Sequence, residues 1–408
     1  MKSTGLIKKC FLVLIFFVAG VLTVEAHRPN QNYIYLSIYE GKIDCRVELR
    51  KSDIKGVFNF DFGPGVIPDR NDPKVKIIVN YILDNLKFSS TNGEHALAFT
   101  ELGLLDLGGN GFLLFNFSME NMDSVPSKLD VYNQIFVKEF RNHESLLHIE
   151  NNWKTGVLAN ESLPSLIFGL SSPNQTLEIE EGSVLTGFIT MIKSGIYHIW
   201  IGLDHILFLI ALLIPSVIVY KPTSLKKRWL GILYTDFEPE RSFKTALISV
   251  VKIVTIFTVA HSVTLSLAAL EVVNLPSRFV ESIIAFSIAL AAYHNIAPFL
   301  NRREWLIVLV FGLFHGFGFA SVLAEQSRGG DYLVYSLVGF NLGVEIGQLG
   351  IILLTFPILF LFSRWKYYYV VVVGFSLLLI AISMYWFVER AFDYDLKVYT
   401  WLREQGVI

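Results

Sequence analysis

The chain has 408 residues, 53% of them hydrophobic and 17% charged, with a formal net charge of −2. A soluble domain has about 25% charged residues, and most of the deficit falls after residue 195, where long apolar runs appear. The near-neutral charge gives no sign of a nucleic-acid partner, and two cysteines are too few for a thiolate metal centre.

Residues 1–26 read as a secretory signal. Lys2, Lys8 and Lys9 form the basic start, Cys10 to Gly20 the apolar run, and Val24-Glu25-Ala26 a small-x-small cleavage site. Cleavage would leave Cys45 as the one cysteine, so no intramolecular disulfide is expected. It would also make His27 the N-terminus, whose amine and imidazole together can chelate a divalent metal.

Residues 27–190 are expected to form a β-rich, sandwich-like domain outside the cytoplasm. Tyr33 to Tyr39, Arg46 to Arg50, Gly111 to Met119 and Ser145 to Ile149 have strand composition or alternation. Pro73 to Leu86 carries apolar residues at helical spacing and opens on a proline, so one helix is expected there. His95, His143 and His148 read as surface histidines.

Residues 191–390 are expected to form an α-helical membrane bundle of about six spans. Gly195–Tyr220, Ala246–Leu270, Phe279–Leu300, Trp305–Leu323, Tyr332–Phe362 and Tyr368–Val388 are each apolar over roughly the ~20 residues a bilayer requires. Basic residues concentrate in the first loop (Lys221, Lys226, Lys227, Arg228, Arg241, Lys244), the third (Arg302, Arg303) and the fifth (Arg364, Lys366). Those loops are expected in the cytoplasm, with residue 27 and a C-terminal tail, 391–408, outside. The lipid bilayer is therefore an expected partner; the sequence indicates no protein partner.

The spans contain side chains that cost ~2.5–3.5 kcal/mol each at a helix centre. They are His198, Asp204 and His205 in the first, His261 in the second, Glu281 and His294 in the third, His315 in the fourth, and Glu345 in the fifth, flanked by Asn341 and Gln348. No lysine or arginine lies deep in spans one, three, four or five, so the carboxylates are expected to lack cationic side-chain partners. His198 and His205, two turns apart, share a stripe, and Asp204 points elsewhere. Gly339, Gly343 and Gly347, and Gly312 with Gly316, let helices approach closely beside these groups. At 1.5 Å per residue, all but His294 fall between the outer interface and the midplane. His198, Asp204, His205, His261, Glu281, His315 and Glu345 are thus candidate ligands of one divalent transition metal, nickel, cobalt or zinc, in a site open to the outside.

The sequence around these residues resembles the HupE/UreJ family. His198-Ile-Trp-Ile-Gly-Leu-Asp204-His205-Ile-Leu-Phe is similar to its GxxHIxxGxDHxLF signature. Phe257-Thr-Val-Ala-His261-Ser-Val-Thr-Leu, Phe311-Gly-Leu-Phe-His315-Gly-Phe-Gly-Phe-Ala and Phe340-Asn341-Leu-Gly-Val-Glu345-Ile-Gly-Gln348 resemble its later motifs, and Glu281, Ser287 and Asn295 its third-span pattern. The resemblance covers about residues 190–390, and the domain before it resembles the outer domain of the longer branch. It implies a nickel or cobalt permease. The first motif has His198-Ile-Trp where short members have His-Pro.

The leading expectation is therefore a divalent-metal transporter. Outer-half placement also suits an intramembrane metal-dependent hydrolase acting near the outer leaflet, with Asp204 or Glu345 as base. No HExxH helix motif accompanies that alternative. A structural or metal-sensing membrane protein is the third.

Overall fold

A computed structural model describes residues 30–392, apart from 40, 64, 106–110, 123, 221–236, 241, 301–302, 320–331 and 366. The expected signal segment, His27, most of the first loop, the fourth loop and the tail beyond 392 lie outside the described residues.

The N-terminal part is built on strand alternation. In β2 (Ile43–Arg50), Ile43, Cys45, Val47 and Leu49 are fully buried and Arg46 turns to the other face. β1 (Gln31–Ile38) and β2 pair antiparallel. β2 leads into α1 (Lys51–Phe58), a helix the sequence reading missed, which ends on Asn59 in the left-handed region. α2 (Pro73–Asn85) is the expected helix. Asp72 accepts the Lys74 N–H at 2.8 Å, and Pro73 occupies the first turn, where its missing N–H does no harm.

The remaining strands are β3 (Leu86–Ser90), β4 (Gly93–His95), β5 (Leu97–Leu105), β6 (Phe112–Met119), β7 (Lys128–Asn133), β8 (Glu144–Asn152), β9 (Leu166–Phe168) and β10 (Asn174–Glu178). They complete a six-stranded sheet, β5-β6-β2-β1-β8-β9, and a four-stranded sheet, β10-β7-β3-β4. β1 and β8 pair in parallel. Both sheets and α2 enclose one core that includes Ile34, Val47, Phe88, Phe115, Val131 and Ile78.

The three histidines of the N-terminal domain are buried, not on the surface. His95 bonds to Ser90 Oγ at 2.8 Å, His143 Nε2 to Asn32 Oδ1 at 3.0 Å, and His148 stacks on Tyr35 at 5.1 Å. The partners of His143 and His148 come from strands more than a hundred residues earlier in the chain, which local composition cannot reveal.

The helical part begins with α3 (Val184–Ile201), eleven residues before the expected first span. Ser183 caps it by accepting the Thr186 N–H at 3.1 Å. Lys193 lies within the added turns, exposed, where it can carry its charge along the helix surface. The helix stops at Gly202, whose extended backbone (φ −69°, ψ 98°) separates it from α4 (Leu203–Ser216). A short hairpin, β11 (Ile218–Tyr220) with β12 (Phe237–Pro239), follows. Then come α5 (Phe243–Ala269), α6 (Ser277–Ile296), α7 (Glu304–Phe317), α8 (Leu333–Phe362) and α9 (Tyr368–Phe392). Five of these helices, α3, α5, α6, α8 and α9, are long and apolar enough to cross a bilayer; α4 and α7 have 14 residues each.

Glycine sets the helix pairing. A Cβ on Gly343 would lie 2.1 Å from the Ile192 carbonyl oxygen, and one on Gly195 2.1 Å from that of Phe340, so α3 and α8 run parallel with their backbones in contact. Gly312 and Gly316 let α7 approach α5 in the same way, with the His261 carbonyl only 2.3 Å from where a Cβ on Gly316 would stand.

The two parts meet at Trp153. Its ring stacks on Tyr332 at 4.4 Å, its Nε1–H donates to Ser336 Oγ at 2.9 Å, and Gly187 leaves the room it fills. The heads of α3 and α8 are thereby fixed to the N-terminal domain.

Candidate metal centre

The break at Gly202 builds the centre of the site. Seven residues of continuous helix rise ~10.5 Å; interrupted here, the chain brings the rings of His198 and His205 to 4.6 Å, edge to face. His198 closes α3, and Asp204 and His205 lie in the first turn of α4, where a carboxylate favours the helix dipole. A side chain on Gly202 would collide with His205 Nδ1 at 2.7 Å and with the His198 carbonyl at 2.8 Å.

α5 and α7 supply the other imidazoles. His205 is 5.4 Å from His315 and 6.3 Å from His261, centroid to centroid. His261 and His315 are 0% and 2% exposed, so water does not satisfy them. Aromatic rings fill the spaces. Phe257 lies 5.0 Å from His315, Phe208 5.4 Å from it, and Phe319 and Phe340 face His198 at 4.5 and 5.4 Å.

Hydrogen bonds fix two tautomers. Asp204 Oδ1 accepts from His205 Nδ1 at 3.0 Å and from the His205 N–H at 2.9 Å, so Asp204 points into the cluster, contrary to its expected direction. His315 Nδ1 donates to the Phe311 carbonyl at 2.8 Å. Each bond leaves the lone pair on Nε2, the nitrogen a metal would take, with the partner on the far side that orients a ligating histidine.

The Nε2 atoms of His198, His205, His261 and His315, and Nδ1 of His261, are buried without a hydrogen-bond partner among the described residues. A buried polar atom left unpaired costs ~1–3 kcal/mol, so five together call for an occupant. Neutral imidazoles beside one carboxylate suit a divalent transition metal. Among the described residues, no three His, Cys, Asp or Glu groups already converge closely enough to hold a metal ion.

Two of the expected ligands are bonded elsewhere. Glu281 accepts from Ser277 Oγ at 2.7 Å and has Arg390 Nε at 3.8 Å, so it does have a cationic partner, contributed by the end of α9. Arg390 lies just past the expected last span, Tyr368–Val388, where its approach to Glu281 is not visible in the sequence. Glu345 accepts from Thr255 Oγ1 at 2.8 Å in a groove between α5 and α8. Asn295 donates to the Ala211 carbonyl at 2.8 Å and ties α6 to α4. Of the aromatic lining, Phe257 stands one turn before His261 on the same helix face, a spacing visible in the sequence.

A buried histidine cluster inside a bundle with five helices long and apolar enough to cross a bilayer, preceded by a β domain, defines an integral membrane protein. The family described as HupE / UreJ protein matches residues 174–390, from the last strand of the sandwich to the end of α9, and the chain belongs to that family. Its members are membrane proteins related to nickel and cobalt transport. Comparison with curated proteins and with solved structures gives no match.

Proposed function

We propose that this protein carries a divalent transition metal, nickel or cobalt first, across the membrane through the site formed by His198, Asp204, His205, His261 and His315. The observation that carries the reading is the set of four buried imidazoles whose Nε2 atoms have no partner. The family match supports the choice of metal. The signal-like segment and the basic residues of the first, third and fifth loops support an N-terminal domain outside the cytoplasm. On that orientation, the metal enters beside the N-terminal domain and meets His198 first.

The test is uptake of radiolabelled Ni²⁺ into proteoliposomes, wild type against His205→Ala. Uptake by the wild type that the variant loses is expected. A metal-loaded wild type that moves no ion would end the transport reading.

One observation favours a second reading. Beyond the cluster, Leu209, Leu213, Ile214, Val250, Val254, Ile352 and Phe356 form an apolar layer. An apolar layer of this kind behind the cluster suits a metal-dependent hydrolase, with Asp204 as proton acceptor at His205. Stoichiometric metal without uptake, together with hydrolysis of an acyl or amide bond that Asp204→Asn abolishes, is its signature.

A further inference from the structure

The groove that holds Glu345 has different chemistry from the histidine cluster. It occupies about 720 Å³ between α5 and α8 and is lined by Thr255, Thr258, Ser262, Ser266 and Glu345 among apolar side chains. Thr255 and Glu345 both lie near the middle of their helices.

The hydroxyls there have already committed their protons. Thr255 donates to Glu345 Oε1, Thr258 to Gln348 Oε1 at 2.8 Å and to the Val254 carbonyl, Ser262 to the Thr258 carbonyl at 2.6 Å, and Ser266 to the Ser262 carbonyl at 2.7 Å. Each hydroxyl oxygen keeps its lone pairs. Glu345 Oε2 is buried with no partner, and among the described residues no lysine or arginine pairs with it. Lys252, three residues before Thr255 on the same helix, forms no ion pair with it. Ser262 and Ser266 lie about two and three turns beyond Thr255 on α5, so the groove presents one carboxylate with the nearby acceptor oxygens of Thr255 and Thr258, in a region where an uncompensated charge is costly.

We propose that this groove is a second cation site, distinct from the histidine cluster, and that it takes a hard monovalent cation of the sodium type. An all-oxygen set selects hard cations, whereas the imidazole cluster selects borderline divalent metals. A single carboxylate neutralises one positive charge; a divalent ion would leave an excess charge at the same depth. The two sites share α5, which brings His261 near His205 of α4 and Thr258 to Gln348 of α8. The inference does not rest on nickel transport.

The test is binding of ²²Na⁺ to the purified full-length chain in nanodiscs, in EDTA and with choline as the competing background, so that its outcome is independent of any transition metal. Saturable, stoichiometric binding is expected. Glu345→Gln should lower it by roughly tenfold or more, because it removes the one charged ligand. Thr255→Val should weaken it while leaving the carboxylate, and carries the same readout if Glu345→Gln does not fold. Absence of saturable ²²Na⁺ binding by the folded wild type, or equal binding by the folded variants, overturns the proposal.

Discussion

On the proposed function, Asp204 would act on a metal through His205. It holds the Nδ1 proton of His205 and so aims the Nε2 lone pair at the centre of the cluster. Asp204→Asn keeps an oxygen that can accept the His205 N–H, so the helix start should survive, but it removes the charge that makes His205 a strong ligand. Loss of such an outer partner typically lowers metal affinity ~10–100-fold. Titration of purified protein with Co²⁺, followed by its visible absorption, should show that loss with little change in thermal stability. His143, in the N-terminal domain, offers a separate prediction. Burial, with a smaller contribution from Arg50, pushes its pKa down to about 4, and Glu144 opposes the shift. The folded state therefore binds the proton less well than the unfolded state. The neutral form's stability is fully present above the ordinary histidine value of about 6.5 and is lost as the pH falls through about 4. The loss amounts to at most ~1.4 kcal/mol per pH unit in that window. Urea titrations followed by tyrosine fluorescence should show it, and His143→Gln, which keeps a donor for Asn32, should flatten the pH dependence.

At the scale of elements, the site depends on a helix that stops. A continuous first span leaves His198 and His205 two turns apart; the extended backbone at Gly202 closes that gap and places Asp204 at a new helix start. Gly202→Ala should therefore damage the site without removing a ligand. Its methyl group meets both His205 Nδ1 and the His198 carbonyl, and the helix would tend to run on. Metal affinity, measured by titration, is expected to fall at least as far as in Asp204→Asn while the N-terminal domain keeps its own transition. Legibility divides along the same line. The strands at Ile43–Arg50 and Phe112–Met119, the helix from Pro73 and most of the apolar helices are visible as periodicity and length. The four histidines are visible because apolar surroundings make each of them costly. The break at Gly202 is not visible, since a glycine inside an apolar run reads equally as a packing residue. Nor are the destinations of Glu281 and Glu345, because Arg390 and Thr255 become neighbours only through the pairing of α6 with α9 and of α5 with α8.

Across the whole molecule, the segment around Trp153 joins the N-terminal domain to the bundle: beside its own ring contacts, Lys154 lies over the Tyr332 ring and accepts the Ser183 N–H. Trp153 belongs to the N-terminal domain by sequence, yet it clusters with Met191, Ile199, Leu337, Phe340 and Val344 of the bundle and takes no part in the sandwich core. It presses on Gly187 of α3 and binds Tyr332 and Ser336 of α8, the helices whose next turns lead to His198 and Phe340. Trp153→Ala should uncouple the two parts while leaving the sandwich folded, since Ile34, Val47 and Phe115 keep their contacts. Removing a buried tryptophan costs ~3–5 kcal/mol, here charged to the junction. Limited proteolysis of the full chain in nanodiscs should then cut between residues 179 and 183 faster than in the wild type, and the released domain should melt at its former temperature. Trp153→Phe, which keeps the stack on Tyr332 but loses the bond to Ser336, should be cut at an intermediate rate. If both variants resist protease as the wild type does, the junction is held elsewhere and Trp153 only fills space.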